Sequence, residues 1–327
     1  MIAFIFPGQG SQKVGMGSEL AAAYPVASRT FDEADSAFSR GSGDAARLSE
    51  LCFQGPADRL MLTEHTQPAL VATSTAACRV LAEHGISPSF VAGHSLGEYS
   101  AHVAAGTMDF GDAVALVRRR GRYMQEAVPV GTGAMAAILG SDLDVVARAC
   151  EEAAAGEVVS PANINGPGQI VIAGAAGAVQ RACERAKALG ARRVLPLAVS
   201  APFHCALMKP AEDRLAPELR ALRVSDPRVP VVANVDAEAK RDAGGAIEAL
   251  VRQVSAPVQW EAVIHRLASE GVTTYVEVGP GTVLSGLVKK ILEGLSRRSA
   301  EGAKADAQIL SFGSPADLAA VVAACST

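Results

Sequence analysis

The stretch SFVAGHSLGEYSAHVAAG, residues 89–106, constrains the fold most strongly. The segment SFVAG at its start is mostly apolar, and its length suits a buried strand. A helix is predicted from about residue 96 to 105. Ser95 lies between them in the pattern G-x-S-x-G, with Gly93 and Gly97 on either side. A serine on such a strand-turn-helix connection presents its hydroxyl beside the backbone N–H groups of a helix N-terminus. The stretch therefore predicts an α/β fold in which Ser95 is a nucleophile.

The rest of the chain contains further strand and helix patterns. The apolar runs IAFIF, RVPVVANV, TYVEVG and QILSF predict strands, and the helices between them indicate a largely parallel sheet. Residues 131–199 instead follow the order βαββαβ, which is typical of ferredoxin-like domains. We therefore expect a large α/β domain, residues 1–128 and 200–327, with a small domain inserted at 129–199. The stretch LSRRSAEGAKADA predicts a polar linker before the last strand.

The composition excludes several classes of partner. Hydrophobic residues make up 49% of the 327 residues and charged residues 20%, as in globular proteins with a core. The net charge of −4 provides no overall attraction for nucleic acid or an anionic membrane. The six cysteines have no metal-ligand spacing, and the N-terminus has no signal-peptide pattern. We expect a cytoplasmic protein without a metal, membrane or nucleic-acid partner.

A serine hydroxyl needs a neighbouring base to become nucleophilic, and the chain offers six histidines. His94 directly precedes Ser95, so its side chain is expected to point away from the nucleophile. His204 follows the last strand of the inserted domain, at a domain junction where clefts form. The residues alone leave the choice between His204 and the other histidines open.

Two other interpretations of these motifs are weaker. An α/β-hydrolase would place an acidic residue between serine and histidine and several strands before the serine, whereas only one convincing strand precedes Ser95. A phosphate-binding G-x-G-x-x-G loop would need glycine at position 13, which is Lys13.

The helix predicted over 110–126 contains four arginines, and one of them is distinct. On a helical wheel, Arg120 falls at the edge of the apolar face, whereas Arg118, Arg119 and Arg122 point toward solvent. A guanidinium can bind a carboxylate through two parallel hydrogen bonds. An inward Arg120 near an acyl-transfer serine therefore indicates a substrate that carries a free carboxylate.

With these residues assembled, the chain resembles the malonyl-CoA:acyl carrier protein transacylases. The motifs that carry the resemblance run in order along nearly the whole chain: FPGQGSQ, TQPAL, GHSLGEYSA, RRRGRYMQEA, GAMAAI, ANINGPGQIVIAG, FHCALM, APVQW and EVGPGTVLSGLVKKI. The resemblance implies an α/β-hydrolase-like large domain with a mostly parallel sheet and a ferredoxin-like insert. It also implies transfer of a malonyl group from malonyl-CoA to a holo acyl carrier protein, without a cofactor, by an enzyme that we expect to be a monomer.

The resemblance implies roles for individual residues. Ser95 would be the nucleophile and His204 the base, with no third carboxylate. The backbone N–H groups of Gln9 and Leu96 would form the oxyanion hole, and a backbone carbonyl near Gln259 would orient the imidazole.

Further residues would contact the substrate or the carrier protein. Arg120 would bind the malonyl carboxylate, Asn163 would face the pantetheine arm, and Phe203 would line the substrate site. Candidate docking residues for an acidic carrier protein are Arg118, Arg119, Lys289 and Lys290.

One residue departs from the pattern of the stand-alone bacterial enzymes, which often carry a serine before the histidine. Phe203 at this position resembles the malonyl-selecting acyltransferase domains of polyketide synthases, so the pathway stays open between fatty acid and polyketide synthesis. The start at Met1 and the C-terminal strand and helix favour a discrete enzyme. A serine thioesterase or lipase and a non-catalytic carrier-binding protein remain alternatives.

Overall fold

The computed structural model describes residues 1–40, 47–298 and 307–325. In these residues the strands are β1 (Ile2–Phe6), β2 (Phe90–Gly93), β3 (Gly133–Leu139), β4 (Val159–Gly166), β5 (Gln169–Ala175), β6 (Arg193–Pro196), β7 (Val231–Val232), β8 (Ala239–Lys240), β9 (Thr274–Val278) and β10 (Gln308–Phe312). The α-helices are α1 (Ser18–Ala23), α2 (Pro25–Ser39), α3 (Leu48–Gln54), α4 (Ala57–Leu60), α5 (Thr63–Glu83), α6 (Gly97–Ala105), α7 (Phe110–Glu126), α8 (Leu143–Ala153), α9 (Ala176–Ala188), α10 (Lys209–Arg220), α11 (Ala243–Gln253), α12 (Trp260–Ser269), α13 (Val283–Arg298) and α14 (Leu318–Cys325). Short 3₁₀ turns cover Ala206–Met208 and Pro315–Asp317.

The larger sheet has six strands in the order β10-β9-β1-β2-β7-β8. The first five strands are parallel to one another, and only β8 pairs antiparallel, with β7. Strand β1 lies between β9 and β2, in the interior of the sheet. Helices pack on both faces of a parallel sheet of this kind. The mostly parallel sheet predicted from the alternating strand and helix patterns is confirmed.

The central strand β1 is buried on both of its faces, which explains its continuous apolar run. Phe4 and Phe6 pack into the larger hydrophobic core, which includes side chains of α2, α5 and α7. Ala3 and Ile5 point to the opposite face and pack in a second core around Trp260. A strand covered on both sides needs apolar residues at every position rather than at alternate ones.

The second sheet has four antiparallel strands in the order β4-β5-β3-β6. With α8 after β3 and α9 after β5, this is the βαββαβ arrangement predicted for a ferredoxin-like unit. All four strands fall between residues 133 and 196. The last strand is shorter than predicted, because β6 ends at Pro196. The domain limits at residues 128, 129, 199 and 200 remain a prediction.

The two sheets are joined by backbone hydrogen bonds as well as by the chain connections. The Ile164 N–H donates to the Val258 carbonyl at 2.9 Å, and the Val258 N–H donates to the Ala162 carbonyl at 2.9 Å. Strand β4 is therefore fixed to the segment that precedes α12. One wall of any cleft between the two units is thereby held in place.

The predicted polar linker begins inside a helix. Helix α13 continues to Arg298, so the first residues of the predicted polar linker are helical, and residues 299–306 of that linker lie outside the described residues.

No helix in the described part of the chain is long and apolar enough to cross a membrane.

Two glycines allow β2 and α6 to pack closely against β1. A Cβ atom at Gly97 would overlap the carbonyl oxygen of Phe6, and a Cβ at Gly93 would overlap the carbonyl of Gly97. The glycines of the G-x-S-x-G pattern are therefore required by close backbone contacts as well as by the turn itself.

We expect Gly97→Ala to lower the free energy of unfolding by about 1–3 kcal/mol, because the added methyl must displace the backbone of β1. Gly286→Ala is the matched control, since Gly286 is exposed on α13 and an added Cβ there would contact nothing within 4 Å. That substitution should raise the free energy of unfolding by about 0.5–1 kcal/mol. Urea unfolding of both variants measures these changes, and equal effects at the two positions would contradict the packing explanation.

Candidate active site

Ser95 lies on the sharp turn between β2 and α6. Its φ angle is 51°, in the left-handed region that non-glycine residues rarely occupy. Among the described residues only four non-glycine residues have positive φ angles, and His204, at 59°, is another of them. Strained backbone of this kind concentrates at functional sites. The two residues that sequence analysis assigned to the dyad therefore share an unusual conformation.

The side chains of Ser95 and His204 are in direct contact. The Ser95 Oγ lies 2.6 Å from His204 Nε2, and His204 Nδ1 lies 3.0 Å from the backbone carbonyl of Gln253. Because a carbonyl can only accept, it assigns the hydrogen to Nδ1 and leaves Nε2 free to accept the serine proton. Burial, reinforced by the positive charge of Arg120, lowers the pKa of His204 to about 3. The imidazole is therefore neutral at physiological pH, as a base must be.

The carbonyl that orients His204 is not the one expected. Sequence analysis placed it near Gln259, and this prediction is wrong, because the partner of Nδ1 is Gln253 at the C-terminal end of α11. Gln259 instead precedes α12, and its carbonyl accepts the N–H of Val263 in the first turn of that helix. Gln259 contributes to the site only indirectly, through its N–H, which donates to the carbonyl of Asn234 at 2.9 Å.

Arg120 extends from α7 into the protein interior, with 1% of its surface exposed. Its guanidinium donates to the side-chain oxygens of Gln67 at 2.9 Å and Gln253 at 3.0 Å, and it lies 3.4 Å from Ser95 Oγ. It also lies over the ring of Tyr99, at 5.2 Å from the ring centre. In the described residues no carboxylate forms an ion pair with it, so the two glutamines orient a cation whose direct hydrogen-bond partners are neutral. Burial lowers the pKa of Arg120, and the charge of Glu98 opposes that shift without contacting the guanidinium.

The two predicted oxyanion-hole residues flank the serine from different segments. Gln9 follows β1 in an exposed loop, and Leu96 is a buried residue at the N-terminal end of α6. Within the described part of the chain, neither backbone N–H donates to a protein acceptor. Donors of this kind, fixed by the backbone, can stabilise negative charge that develops on a substrate oxygen.

A cavity of about 360 Å³ contains these groups. It is lined by the predicted site residues Gln9, Ser95, Leu96, Arg120, Asn163, Phe203 and His204, and not by Gln259. Asn163 reaches it from β4 of the smaller sheet, whereas Phe203 is half-buried beside the base. Apolar side chains such as Met61 and Val199 are exposed at the cavity. The cavity thus combines polar side chains around Ser95 with exposed apolar side chains such as Met61 and Val199.

His94 also lines the cavity but does not approach the serine as a base would. Its Nε2 lies 2.7 Å from the side-chain oxygen of Asn165 on β4, and its ring packs near Trp260. Burial lowers the pKa of His94. The histidine next to the nucleophile therefore connects the two sheets.

Sequence reasoning missed three amide side chains around the dyad. Gln67 and Gln253 hold Arg120, and Asn234 accepts the Ser95 N–H at 2.7 Å. Asn234 is the second residue after β7, at the carboxyl end of a parallel strand where functional residues often lie, and this signal could have identified it. Gln253 carries no comparable signal, because it ends an ordinary amphipathic helix.

The described residues include no group of three or more His, Cys, Asp or Glu side chains placed to hold a metal ion. One cavity instead brings together the Ser95 hydroxyl, the His204 imidazole, the Gln9 and Leu96 residues and the buried Arg120 guanidinium.

Comparison with known proteins gives one consistent result. Residues 3–310 match the acyl transferase domain family. The chain is similar to a malonyl CoA-acyl carrier protein transacylase from Escherichia coli O157:H7, with 54% identity over 295 residues that cover 90% of this chain and 94% of the relative. It is similar to the solved structure of an acyl carrier protein S-malonyltransferase from Vibrio cholerae O1 biovar eltor str. N16961, with a TM-score of 0.91, 46% identity, and coverage of 98% of this chain and 99% of that chain. A malonyl-transacylase solved in complex with holo AntF, a type II PKS acyl-carrier protein, gives a TM-score of 0.91 at 46% identity and covers 99% of both chains. The chain belongs to the acyl transferase domain family.

Proposed function

We propose that this enzyme transfers a malonyl group from malonyl-CoA to the phosphopantetheine thiol of a holo acyl carrier protein. The observation that carries the proposal is the guanidinium of Arg120, buried without a carboxylate partner in the described residues, 3.4 Å from the Ser95 Oγ. A cation at that distance from a nucleophile fits an acyl group that bears a carboxylate of its own. A thioesterase or lipase that acts on acyl chains without a carboxylate would have no use for a cation at this position.

In the first half-reaction the malonyl group passes to the enzyme. His204 Nε2 accepts the hydroxyl proton of Ser95, whose Oγ attacks the thioester carbonyl carbon of malonyl-CoA. The carbonyl oxygen takes up the negative charge and accepts hydrogen bonds from the N–H groups of Gln9 and Leu96. The C–S bond then breaks, and His204 returns the proton to the departing sulfur of coenzyme A. The product is a malonyl ester of Ser95.

The second half-reaction reverses these steps with a different thiol. The phosphopantetheine thiol of the carrier protein loses its proton to His204 and attacks the ester carbon. Ser95 leaves as the alkoxide and recovers the proton from His204. One base and one pair of N–H donors therefore serve both half-reactions, so no metal or redox cofactor is needed for this chemistry.

Arg120 selects the acyl group. The planar guanidinium can bind the malonyl carboxylate through two parallel hydrogen bonds, and Gln67 and Gln253 fix the plane in which it does so. Phe203 is positioned to contact the acyl group, and Asn163 to hydrogen-bond the amides of the pantetheine arm, since both line the cavity. Acyl groups without a carboxylate would leave the buried cation unpaired and bind poorly.

We also propose the setting in which the enzyme works. The six cysteines are free thiols, which is typical of proteins in a reducing cytoplasm. The relatives named above support malonyl supply for fatty acid or polyketide synthesis with a carrier protein as partner. We further propose that the enzyme is a monomer. Arg118 donates a hydrogen bond to the Phe38 carbonyl, and Arg119 forms an ion pair with Glu218. We therefore favour the exposed Lys289 and Lys290 as the residues that bind an acidic carrier protein.

The decisive experiment follows the intact masses of the enzyme and of a holo carrier protein. We expect malonyl-CoA to give a malonyl adduct on the enzyme, and addition of the carrier protein to move that adduct to its thiol. Ser95→Ala should form no adduct. An adduct that decays to free malonate with or without carrier protein would instead identify a hydrolase.

We expect Arg120→Ala to lose malonyl transfer and to retain or gain acetyl transfer. Removing one partner of a buried charge pair costs about 2–5 kcal/mol, so kcat/KM for malonyl-CoA should fall roughly 30- to 5,000-fold relative to acetyl-CoA. The control is Arg122→Ala, because Arg122 lies on the same helix and half of its side chain is exposed. Acylation rates with the two thioesters measure the selectivity, and equal losses for both would rule out carboxylate binding by Arg120.

The lowered pKa of His204 predicts an unusual pH profile. The kcat/KM for acylation reports the free enzyme, in which the imidazole stays neutral down to its pKa of about 3. We expect this constant to be flat from about pH 8 to about pH 5, where an ordinary histidine would retain only about 3% of its basic form. In Arg120→Ala, assayed with acetyl-CoA, the acid limb should move toward neutral pH, because a nearby cation is removed. Burial also raises the pKa of Glu98, which accepts a hydrogen bond from Gln253, to about 7. An acid limb near pH 6.5 would therefore contradict the assignment of His204 if it persists in Glu98→Gln.

A further inference from the structure

A single amide side chain bonds the backbone on both sides of His94, the residue before the nucleophile. Asn234 Oδ1 accepts the Ser95 N–H at 2.7 Å, and Asn234 Nδ2 donates to the carbonyl of Gly93 at 2.7 Å. These two backbone groups flank the peptide of His94, on the approach to the nucleophile. The left-handed conformation of Ser95 leaves its N–H outside the pattern of both β2 and α6, so it needs an acceptor from elsewhere.

Asn234 is itself fixed by a buried carboxylate. Glu98 has no exposed surface and lies in the first turn of α6, three residues after the nucleophile. Its Oε2 accepts the backbone N–H of Asn234 at 2.9 Å and the side-chain amide of Gln253 at 2.8 Å. Burial raises the pKa of Glu98 to about 7, and these donors oppose that shift. The carboxylate thus connects the helix of the nucleophile to the segment after β7.

Gln253 extends the same network to the rest of the site. Its side-chain amide donates to the Ser95 carbonyl at 2.9 Å as well as to Glu98, and its side-chain oxygen accepts from Arg120. Its backbone carbonyl accepts from His204 Nδ1. Asn234 holds the N–H of Ser95 and Gln253 holds its carbonyl, so the nucleophile is fixed through both of its own backbone polar groups.

We propose that Asn234 is a positioning residue for acyl transfer, which holds Ser95 in its left-handed conformation by bridging the Ser95 N–H and the Gly93 carbonyl, with Glu98 fixing Asn234 from behind. The inference rests on the proposed function, because the positioned atom is the Oγ that attacks the thioester. Only a side chain with one acceptor and one donor side by side can make this bridge, and a primary amide provides both.

The bridge also decides which N–H groups stabilise the oxyanion. The Ser95 N–H is already bonded to Asn234, so it is not available to a substrate oxygen. This leaves the hole to the N–H groups of Gln9 and Leu96, the latter being the next peptide along. A shift of the Ser95 peptide would therefore misplace the attacking Oγ and the Leu96 donor together.

The test compares Asn234→Ala with the unchanged enzyme in both half-reactions. We expect the maximal rates of enzyme malonylation and of transfer to the carrier protein to fall together by about 10- to 100-fold, the cost of a small misplacement of reacting groups. The KM for malonyl-CoA and the preference for malonyl over acetyl should change by less than about threefold, since Arg120 keeps its partners. Glu277→Gln is the control for lost stability, because Glu277 is a buried carboxylate on β9 whose partners among the described residues are the first N–H groups of α13 and the Ser285 hydroxyl. Its folded fraction should keep the rates of the unchanged enzyme.

An Asn234→Ala variant that keeps the maximal malonylation rate would overturn the inference, and so would a loss that matches only its unfolded fraction. If the variant does not fold, amide hydrogen exchange in the unchanged enzyme decides: we expect the Ser95 N–H to be protected and the Leu96 N–H to exchange faster. Equal exchange at the two amides would refute the bridge. Failure of the unchanged enzyme to take up or pass on a malonyl group would refute the proposed function instead, and the exchange measurement does not depend on it.

Discussion

The left-handed conformation of Ser95 is the constraint on which the site depends. To turn from β2 into α6 within residues 94–96, the chain needs glycine at 93 and 97, where the backbones touch, and a partner for the Ser95 N–H. Those needs account for the tight packing of α6 against β1 and for a buried amide, Asn234, beneath the nucleophile. In return, the Oγ of Ser95 projects into the cavity, which Leu96 at the N-terminal end of α6 also lines.

The second constraint is charge. A guanidinium buried beside the nucleophile would be costly without acceptors, and Gln67 and Gln253 supply them without neutralising it. A carboxylate in their place would satisfy Arg120 permanently and remove its attraction for a malonyl group. The same positive charge disfavours protonation of His204 and keeps the imidazole in the neutral form that can accept a proton. In the proposed mechanism, neutral amides around a cation thus serve both substrate selection and proton transfer.

Local patterns predicted much of this structure because they depend on nearby residues. The buried strand before Ser95, the βαββαβ unit and the inward direction of Arg120 all follow from periodicities within single segments. The orientation of His204 does not, since every residue has a carbonyl and only the path of the chain from α11 to α12 decides that Gln253, and not Gln259, reaches Nδ1. Asn234 and Glu98 likewise gain their roles from contacts between segments more than 130 residues apart, about which a sequence pattern is silent.

The uncompensated charge of Arg120 has a consequence for the lifetime of the protein. Within the described residues Arg120 is buried without an ion-pair partner, so a malonyl group bound beside it would add stability to the folded state, because a ligand that binds only the folded state stabilises it. The acylated enzyme should therefore resist heat and proteolysis better than the empty one. In a cell, scarcity of malonyl-CoA would then leave more of the enzyme in its less stable, empty form.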